Sequence, residues 1–427
     1  MDIQKLAEYN PWWIDSTIDE RFTGKPRTGY DLIIKSLKIK EITVITGIRR
    51  SGKSTLMYQM IAALLKQKTN PKNILFLNLE DAKLGVESLD NIYAAYREDI
   101  NPKDKAYIFL DEIHRKDGWE RWLRNAYDKK LDCKFVISGS SSYLLKKEYS
   151  TLITGRNVSF IVFPLSLGEY LSFAGINYGS TIKGLVTDRQ LHLIHHELQE
   201  YLKYGGFPQV FLTDKEFKNK LLMQYFDDIL YKDIINRHTL NAQKARDLAL
   251  YAITNITTTI SLRNLRNTLG LSYDSIKDYI SYYKDAFLLF TLDHFSYSFK
   301  VQKTIPTKIY CIDTGLRNAA GFTFSKDEGK LVENLVCVEL KRRNRDIYYW
   351  TDEKHEVDFI LKNPDNTLIG INVSFTDAIG ERETNALLAA KKDLRNMKKM
   401  ILITKNTEKK EKNILHIPLW KWLLEKE

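Results

Sequence analysis

The apolar positions of this chain change rhythm several times, and the changes outline its elements. Residues 41–46, EITVIT, form an unbroken β-branched and apolar run that suits a strand buried on both faces of a parallel sheet. Similar runs recur at Ile74-Leu75-Phe76-Leu77-Asn78-Leu79, at Tyr107-Ile108-Phe109-Leu110-Asp111 and at Phe135-Val136-Ile137-Ser138-Gly139-Ser140. From Thr55-Leu56-Met57 onward a helix begins. After Phe163-Pro164-Leu165-Ser166, apolar residues recur at threes and fours in 168–171, 191–204 and 217–236, with a break at Gly205-Gly206-Phe207-Pro208. Residues 261–270 predict a short helix with Ser261 as N-cap and Gly270 as stop. A tight link leads to a second helix at 272–283 and a strand-like run at 288–292. The last block predicts a helix at 331–340 and strands at 347–350, 356–361 and 368–375.

These rhythms predict an α/β multidomain protein. Its expected divisions are an N-terminal segment at 1–30 packing on the core, a parallel-sheet nucleotide domain at 31–165, a helical lid at 166–239, a winged helix-turn-helix at 240–310, and a further α/β domain at 311–427. A length of 427 residues supports the division, because it exceeds what one hydrophobic core serves. The net charge of +11 attracts polyanions, although Lys and Arg are spread along the chain. Nucleic acid therefore enters as an expected partner. The 3 cysteines, Cys133, Cys311 and Cys337, are too far apart for a zinc knuckle and fit a reducing compartment. The N-terminus lacks a basic region followed by an apolar one, and no apolar run is long enough to span a membrane, so a cytoplasmic location is expected.

The sharpest chemistry follows the first strand. Gly47-Ile48-Arg49-Arg50-Ser51-Gly52-Lys53-Ser54 matches GxxxxGK[ST] without a mismatch and leads through Thr55 into the helix. The glycines let the backbone turn its N–H groups onto phosphates, Lys53 reaches the β- and γ-phosphates, and the Ser54 hydroxyl ligates Mg²⁺. Asp111 ends an apolar strand and supports the metal. Glu112, next to it, orients and deprotonates a water for in-line attack, which predicts ATP hydrolysis. The strand at 74–79 intervenes between loop and acid, and a polar residue ends the next strand, as in the additional-strand class of P-loop ATPases. Ser138, or alternatively Ser140, is then a sensor of the γ-phosphate. No guanine-reading NKxD pattern occurs, which favours ATP over GTP.

With these motifs in place, the sequence resembles the prokaryotic AAA-type ATPases that carry a C-terminal domain of uncharacterised function. The resemblance spans nearly the whole chain. It rests on Asn10-Pro11-Trp12-Trp13, Gly47 to Thr55, Leu110-Asp111-Glu112-Ile113-His114, Ser138-Gly139-Ser140-Ser141, Gly155-Arg156, Phe163-Pro164-Leu165-Ser166 and Tyr204-Gly205-Gly206-Phe207-Pro208. Paired arginines in the phosphate loop are usual for the family. Arg156 is either a γ-phosphate finger, acting in cis or across a subunit interface of a homo-oligomer, or a surface ion-pair partner. Trp12 and Trp13 either stack on adenine or pin the N-terminus to the core.

Downstream, the exposed face of the expected helix-turn-helix carries Arg263, Tyr273 and Lys277 together with Asp274 and Asp278, so it can meet DNA or a protein. The last block resembles the PD-(D/E)xK nuclease fold. Glu333 and Asp358 match its carboxylates, but Asn372 and Ser374 stand at the ExK positions. Asparagine offers one neutral oxygen, and serine cannot supply the lysine charge, so cleavage is not expected. Lys341-Arg342-Arg343 and Lys391-Lys392 are either phosphate contacts or solvated helix faces. The adjacent His195 and His196 cannot share a helix face, and no metal beyond the nucleotide's Mg²⁺ is assigned. Two functions remain: an ATPase that remodels a nucleic-acid partner, and a slow nucleotide-gated scaffold for proteins. An ATP-dependent nuclease ranks third.

Overall fold

The computed structural model describes residues 3–85, 87–141, 155–178, 187–322, 328–376 and 380–425, and every candidate site residue lies among them. The chain divides into two compact units, Met1–Val162 and Phe163–Glu427.

The first unit is built on β1 (Ile42–Thr46), β2 (Ile74–Asn78), β3 (Ala106–Asp111), β4 (Cys133–Gly139) and β5 (Asn157–Ile161). They form a 5-stranded parallel sheet in the order β2-β3-β4-β1-β5. Successive side chains point to opposite faces. Val44, Leu77, Ile108 and Ile137 enter one core cluster, while Ile45, Phe76, Phe109 and Val136 enter another with Leu56, Met57, Met60 and Ile61 of the helix Lys53–Lys66. Each such buried side chain stabilises the fold by about 1.5–3 kcal/mol. The strand lying between the loop strand and the acid strand is β4, whereas the run at 74–79 forms the outer edge. Intervening in sequence therefore did not mean intervening in the sheet, because crossover helices let consecutive strands skip positions.

The open edge of β2 is covered by the N-terminal segment. Phe76 N–H donates to Asn10 Oδ1 at 2.6 Å, and Asn10 Nδ2 donates back to Phe76 O at 3.1 Å. Trp12 Nε1 and Trp13 Nε1 both donate to Ile74 O, at 3.1 and 2.7 Å. These bonds satisfy outward backbone groups that would otherwise invite another strand. Of the two roles weighed for the tryptophans, the geometry is that of pinning the N-terminus to the sheet.

The second unit holds β6 (Leu289–Leu292) and β7 (Lys308–Cys311), which pair antiparallel. It also holds β8 (Asp346–Thr351), β9 (Glu356–Lys362), β10 (Leu368–Ser374), β11 (Met397–Thr404), β12 (Lys409–Glu411) and β13 (Ile414–Pro418), in a 6-stranded mixed sheet ordered β12-β13-β11-β10-β9-β8. One face of that sheet packs on the helix Glu381–Asp393 through Val357, Ile360, Leu387 and Leu402. The other face shares a core with Val332 and Val336 of the helix Glu328–Arg342. The same core takes Leu171, Ile194, Leu198 and Tyr201 from the helices Leu167–Phe173 and Asp188–Tyr204.

Two expected boundaries meet continuous structure. The helices Leu167–Phe173 and Asp188–Tyr204, expected as a lid, contribute apolar side chains to the same core as the six-stranded sheet. The division at 310/311 falls inside β7, whose Cys311 N–H and C=O both bond the Asn334 side chain, at 2.7 and 2.9 Å. The expected helix over 217–236 also changes pitch: an α-helix over Lys215–Asp228 gives way to a wider π-type turn over Ile229–Ile235.

The Gly205-Gly206 turn is clasped by the helix Thr314–Ala320. Asp313 Oδ2 accepts from Gly206 N–H at 2.7 Å and its Oδ1 accepts from Leu316 N–H at 3.1 Å, capping that helix. Burial pushes the Asp313 carboxyl up to about 6 against these donors. A carboxyl raised on folding stabilises the folded state fully below its unfolded value near 3.8 and loses that contribution as pH rises through about 6. Relative to an Asp313→Asn variant, the wild type should lose about 2 kcal/mol between pH 4 and pH 6. Parallel pH–stability profiles for the two proteins would remove this assignment.

Candidate functional site

The phosphate loop begins where β1 ends. Gly47 has φ +144°, and a Cβ there would sit 2.1 Å from Val162 O, so the backbone approach requires glycine. Arg50 at φ +69° and Gly52 at φ +98° complete the curl before the helix starts at Lys53. Ile48 is fully buried inside the loop, Ser51 N–H closes onto Ile48 O at 3.2 Å, and Thr55 rests its methyl 3.7 Å from the Cβ position of Gly24. The first turn of the helix thereby presents backbone N–H groups with no intrahelical partner to an anion.

Around this loop the expected residues converge. Lys53 Nζ donates to Gly47 O at 3.0 Å and Ile48 O at 3.2 Å, folded back over the loop it belongs to. Ser54 Oγ donates to Asp111 Oδ2 at 2.5 Å. A hydroxyl and a carboxylate that meet at a helix N-terminus are the hard oxygen donors Mg²⁺ takes, so these two residues fit the metal. Ser138 Oγ donates to Asp111 Oδ1 and accepts from Glu112 N–H at 3.1 Å. Its proton is thus engaged with the metal-site acid, and it braces both acids from β4. Burial raises the Asp111 carboxyl, with the neighbouring Glu112 charge adding to the rise.

Glu112 turns back sharply at φ +53°. Its Oε2 accepts from Ser140 N–H at 3.1 Å and lies 3.4 Å from His114 Nδ1, while Oε1 lies 3.7 Å from Lys53 Nζ. Burial alone would raise its carboxyl, but the charges of Lys53, His114 and Arg49 outweigh it and hold the group below the usual range. It is therefore ionised at neutral pH and able to accept a proton. Ser140 enters through its backbone.

Three residues that sequence reasoning missed shape the loop. Arg49 Nη1 pairs with Glu80 Oε1 at 3.1 Å, and Arg115 Nη2 reaches the same oxygen at 3.5 Å. Arg27 Nη1 donates to Ser51 O at 2.9 Å. Glu80, Arg115 and Arg27 follow turns with no motif to mark them, and only the fold brings them to the loop.

Arg156 stands elsewhere. It immediately precedes β5, and the register pairs Ile42 with Asn157 and Thr46 with Ile161, so Arg156 is at the sheet end opposite the loop. Five strand residues separate them by roughly 15 Å. Its Nε pairs with Asp128 Oδ1 at 2.9 Å. Of the roles open to Arg156, the surface ion pair is the one seen, and β5 carries the guanidinium away from the chain's own phosphate loop.

In the second unit, Glu333 and Asp358 do converge, but on a cation that sequence reasoning did not include. Lys308 Nζ on β7 lies 3.4 Å from Glu333 Oε1, 4.0 Å from Asp358 Oδ1 and 2.7 Å from Glu356 Oε1. Glu356 was legible, two residues before Asp358 on the same strand face. Asn372 does not join them as a ligand: its Oδ1 accepts from Asp358 N–H at 2.9 Å and its Nδ2 donates to Glu383 O at 3.1 Å. Ser374 is buried at the end of β10. Among the described residues, no group of three or more His, Cys, Asp or Glu is disposed to hold a metal ion, and no helix is long and apolar enough to cross a membrane.

Residues 39–171 match the model of a family described as an AAA domain, and residues 195–327 and 328–422 match two domains of unknown function, DUF8612 and DUF4143. An uncharacterized protein of Methanocaldococcus jannaschii is 34% identical over 418 residues, covering 92% of this chain and 90% of that protein. An uncharacterized protein of Haemophilus influenzae is 30% identical over 393 residues, covering 90% of this chain and 94% of its own. Among solved structures, PCH-2 of C. elegans aligns over 65% of this chain and 67% of its own at 11% identity, with a TM-score of 0.26, too slight a likeness to carry an argument.

Proposed function

The chain belongs to the family of prokaryotic AAA-type ATPases that carry a C-terminal domain of unknown function, and from that premise we propose that it binds ATP with Mg²⁺, hydrolyses it, and couples nucleotide state to the remodelling of a nucleic-acid partner, DNA in the first instance. The observation that carries the reading is the meeting of Lys53, Ser54, Asp111 and Glu112 at the ends of β1 and β3. Lys53 exchanges its loop carbonyls for phosphate oxygens, which bear more negative charge. The N–H groups of the loop and first helical turn bind the phosphate chain. Ser54 and Asp111 hold Mg²⁺, which when bound neutralises the β- and γ-phosphate oxygens. Glu112 takes the proton of the attacking water on its carboxylate, and Ser138 keeps Asp111 and Glu112 in register. Arg156, placed away from its own loop, serves the phosphate of a second copy in a homo-oligomer.

The partner-facing part is the winged helix-turn-helix. Its helices Leu262–Leu269 and Tyr273–Asp285 are capped by Ser261 and Ser272 and joined through Gly270 at φ +60°. The segment between β6 and β7 is the wing, and it exposes Tyr297, Phe299 and Val301. Interleaved with Lys300 and Lys303, these residues offer stacking faces and phosphate contacts. Three free cysteines fit a cytoplasmic setting. The second reading, a slow nucleotide-gated scaffold for proteins, has one observation in its favour: Asp274 and Asp278 share the exposed helix face with Lys277.

ATP hydrolysis measured with single- and double-stranded DNA over a salt series separates the two. The motor reading expects faster hydrolysis on adding DNA and an affinity that falls steeply with salt. A rate indifferent to any nucleic acid, with stable protein complexes in its place, belongs to the scaffold.

A further inference from the structure

The C-terminal carboxylate cluster has a resident cation. Lys308 is 2% exposed, and its ammonium faces oxygens from a helix residue, Glu333, and from two residues of one strand, Glu356 and Asp358. Tyr310, also from β7, donates its hydroxyl to Glu333 Oε1 at 2.8 Å. The Asp358 carboxylate is fixed from its far side, where Oδ2 accepts from Val373 N–H at 2.8 Å. Carboxylate oxygens are the hard donors a divalent ion takes, but as they stand around Lys308 they are not disposed to hold one. Here the focus is filled from within. The strand that carries Lys308, β7, is held by β6 and by the Asn334 side chain on Cys311, and the buried side chain has little room to leave the cluster. Burial opposes its charge, but the three carboxylates outweigh burial and hold it protonated.

We propose that Lys308 takes the place of a divalent metal: its ammonium occupies the cation position of a carboxylate site of the phosphodiesterase type, keeps Mg²⁺ and Mn²⁺ out, and ties the wing hairpin to the six-stranded sheet. The charge balance supports the substitution. Removing the ammonium would leave the Glu333, Glu356 and Asp358 carboxyl groups crowded in a largely buried space without a counter-charge, which a divalent ion relieves better than sodium does. This inference does not depend on ATP hydrolysis.

The test uses the full chain and Mn²⁺ without nucleotide. Wild type and Asp358→Asn should bind Mn²⁺ alike, because no ion sits at the cluster in either. Lys308→Met should melt lower, bind one additional Mn²⁺ at least about tenfold more tightly than any cluster binding in wild type, and recover its melting temperature with Mn²⁺ but not with sodium chloride of equal ionic strength. The Lys308→Met, Asp358→Asn double variant should lose that extra ion. A folded Lys308→Met that gains no Mn²⁺ overturns the proposal. Should Lys308→Met fail to fold even with Mn²⁺, the wild-type comparison still decides: a Mn²⁺ ion, or Mg²⁺-dependent DNA cleavage, that wild type loses on Asp358→Asn overturns it, and equal behaviour upholds it.

Discussion

Glu112→Gln is expected to lower the ATP hydrolysis rate by about 10²–10⁴-fold while leaving nucleotide affinity within a few-fold of wild type. Glutamine fills the same space and can still accept from Ser140 N–H through its amide oxygen, so the sharp turn at φ +53° and the bracing of Asp111 by Ser138 are retained. What disappears is the negative charge that, in the proposed mechanism, accepts the water's proton. The phosphate-binding groups, Lys53 and the loop backbone, are untouched, and Lys53 is relieved of a carboxylate 3.7 Å away. Hydrolysis and equilibrium binding of a fluorescent ATP analogue, measured on the same preparation, check the split. A variant with the wild-type rate would remove Glu112 as the base, and one that no longer bound nucleotide would show that the substitution had damaged the loop.

Gly315→Ala is expected to be among the most damaging single methyls in the second unit, with a loss of about 3 kcal/mol or more. A Cβ at Gly315 would lie 2.2 Å from Tyr204 O, 2.4 Å from Tyr204 C and 2.8 Å from Gly205 N. All three are backbone atoms, so no side chain can rotate away. Relief would require the helix Thr314–Ala320 to lift off the Gly205-Gly206 turn, breaking the bonds from Asp313 to Gly206 N–H and Leu316 N–H. Denaturant unfolding measures the loss. For comparison, Gly329→Ala meets nothing within 4 Å and sits in a helix, where alanine is favoured over glycine by about 1 kcal/mol. Equal stabilities for the two variants would contradict the close approach.

Both effects involve motifs that were visible before the fold, though only one had a readable meaning. The phosphate loop was legible because its chemistry is local: strand, glycine-framed turn, Lys53 and helix follow one another within a few residues, and backbone geometry dictates the order. The strand ending in Asp111-Glu112 was legible for the same reason. The Tyr204-Gly205-Gly206-Phe207-Pro208 stretch was visible as a break and nothing more, because the neighbours that demand its glycines, Asp313 at Gly205 and the Leu165 backbone at Gly206, come from elsewhere in the chain. Arg156 was legible by type alone. A guanidinium suits a γ-phosphate, but which copy's loop it lies near depends on the parallel register of β1 and β5, which puts it at the sheet end away from its own.

The C-terminal block separates the two kinds of information most clearly. The sequence by itself established the helix, the strand pairs, the acidic pair Glu333 and Asp358, and the absence of the ExK lysine, since all of these depend on short-range periodicity and residue identity. It also established that the first unit is a P-loop domain. Tertiary structure alone decided that β4 lies beside β1, that the helices after Ser166 share the C-terminal core, and that Lys308 from β7 supplies a cation among Glu333, Glu356 and Asp358. The reason is physical. Periodicity records which face of an element is buried, but which other element buries it, and which charge ends up beside which, depends on long-range packing that leaves no local trace.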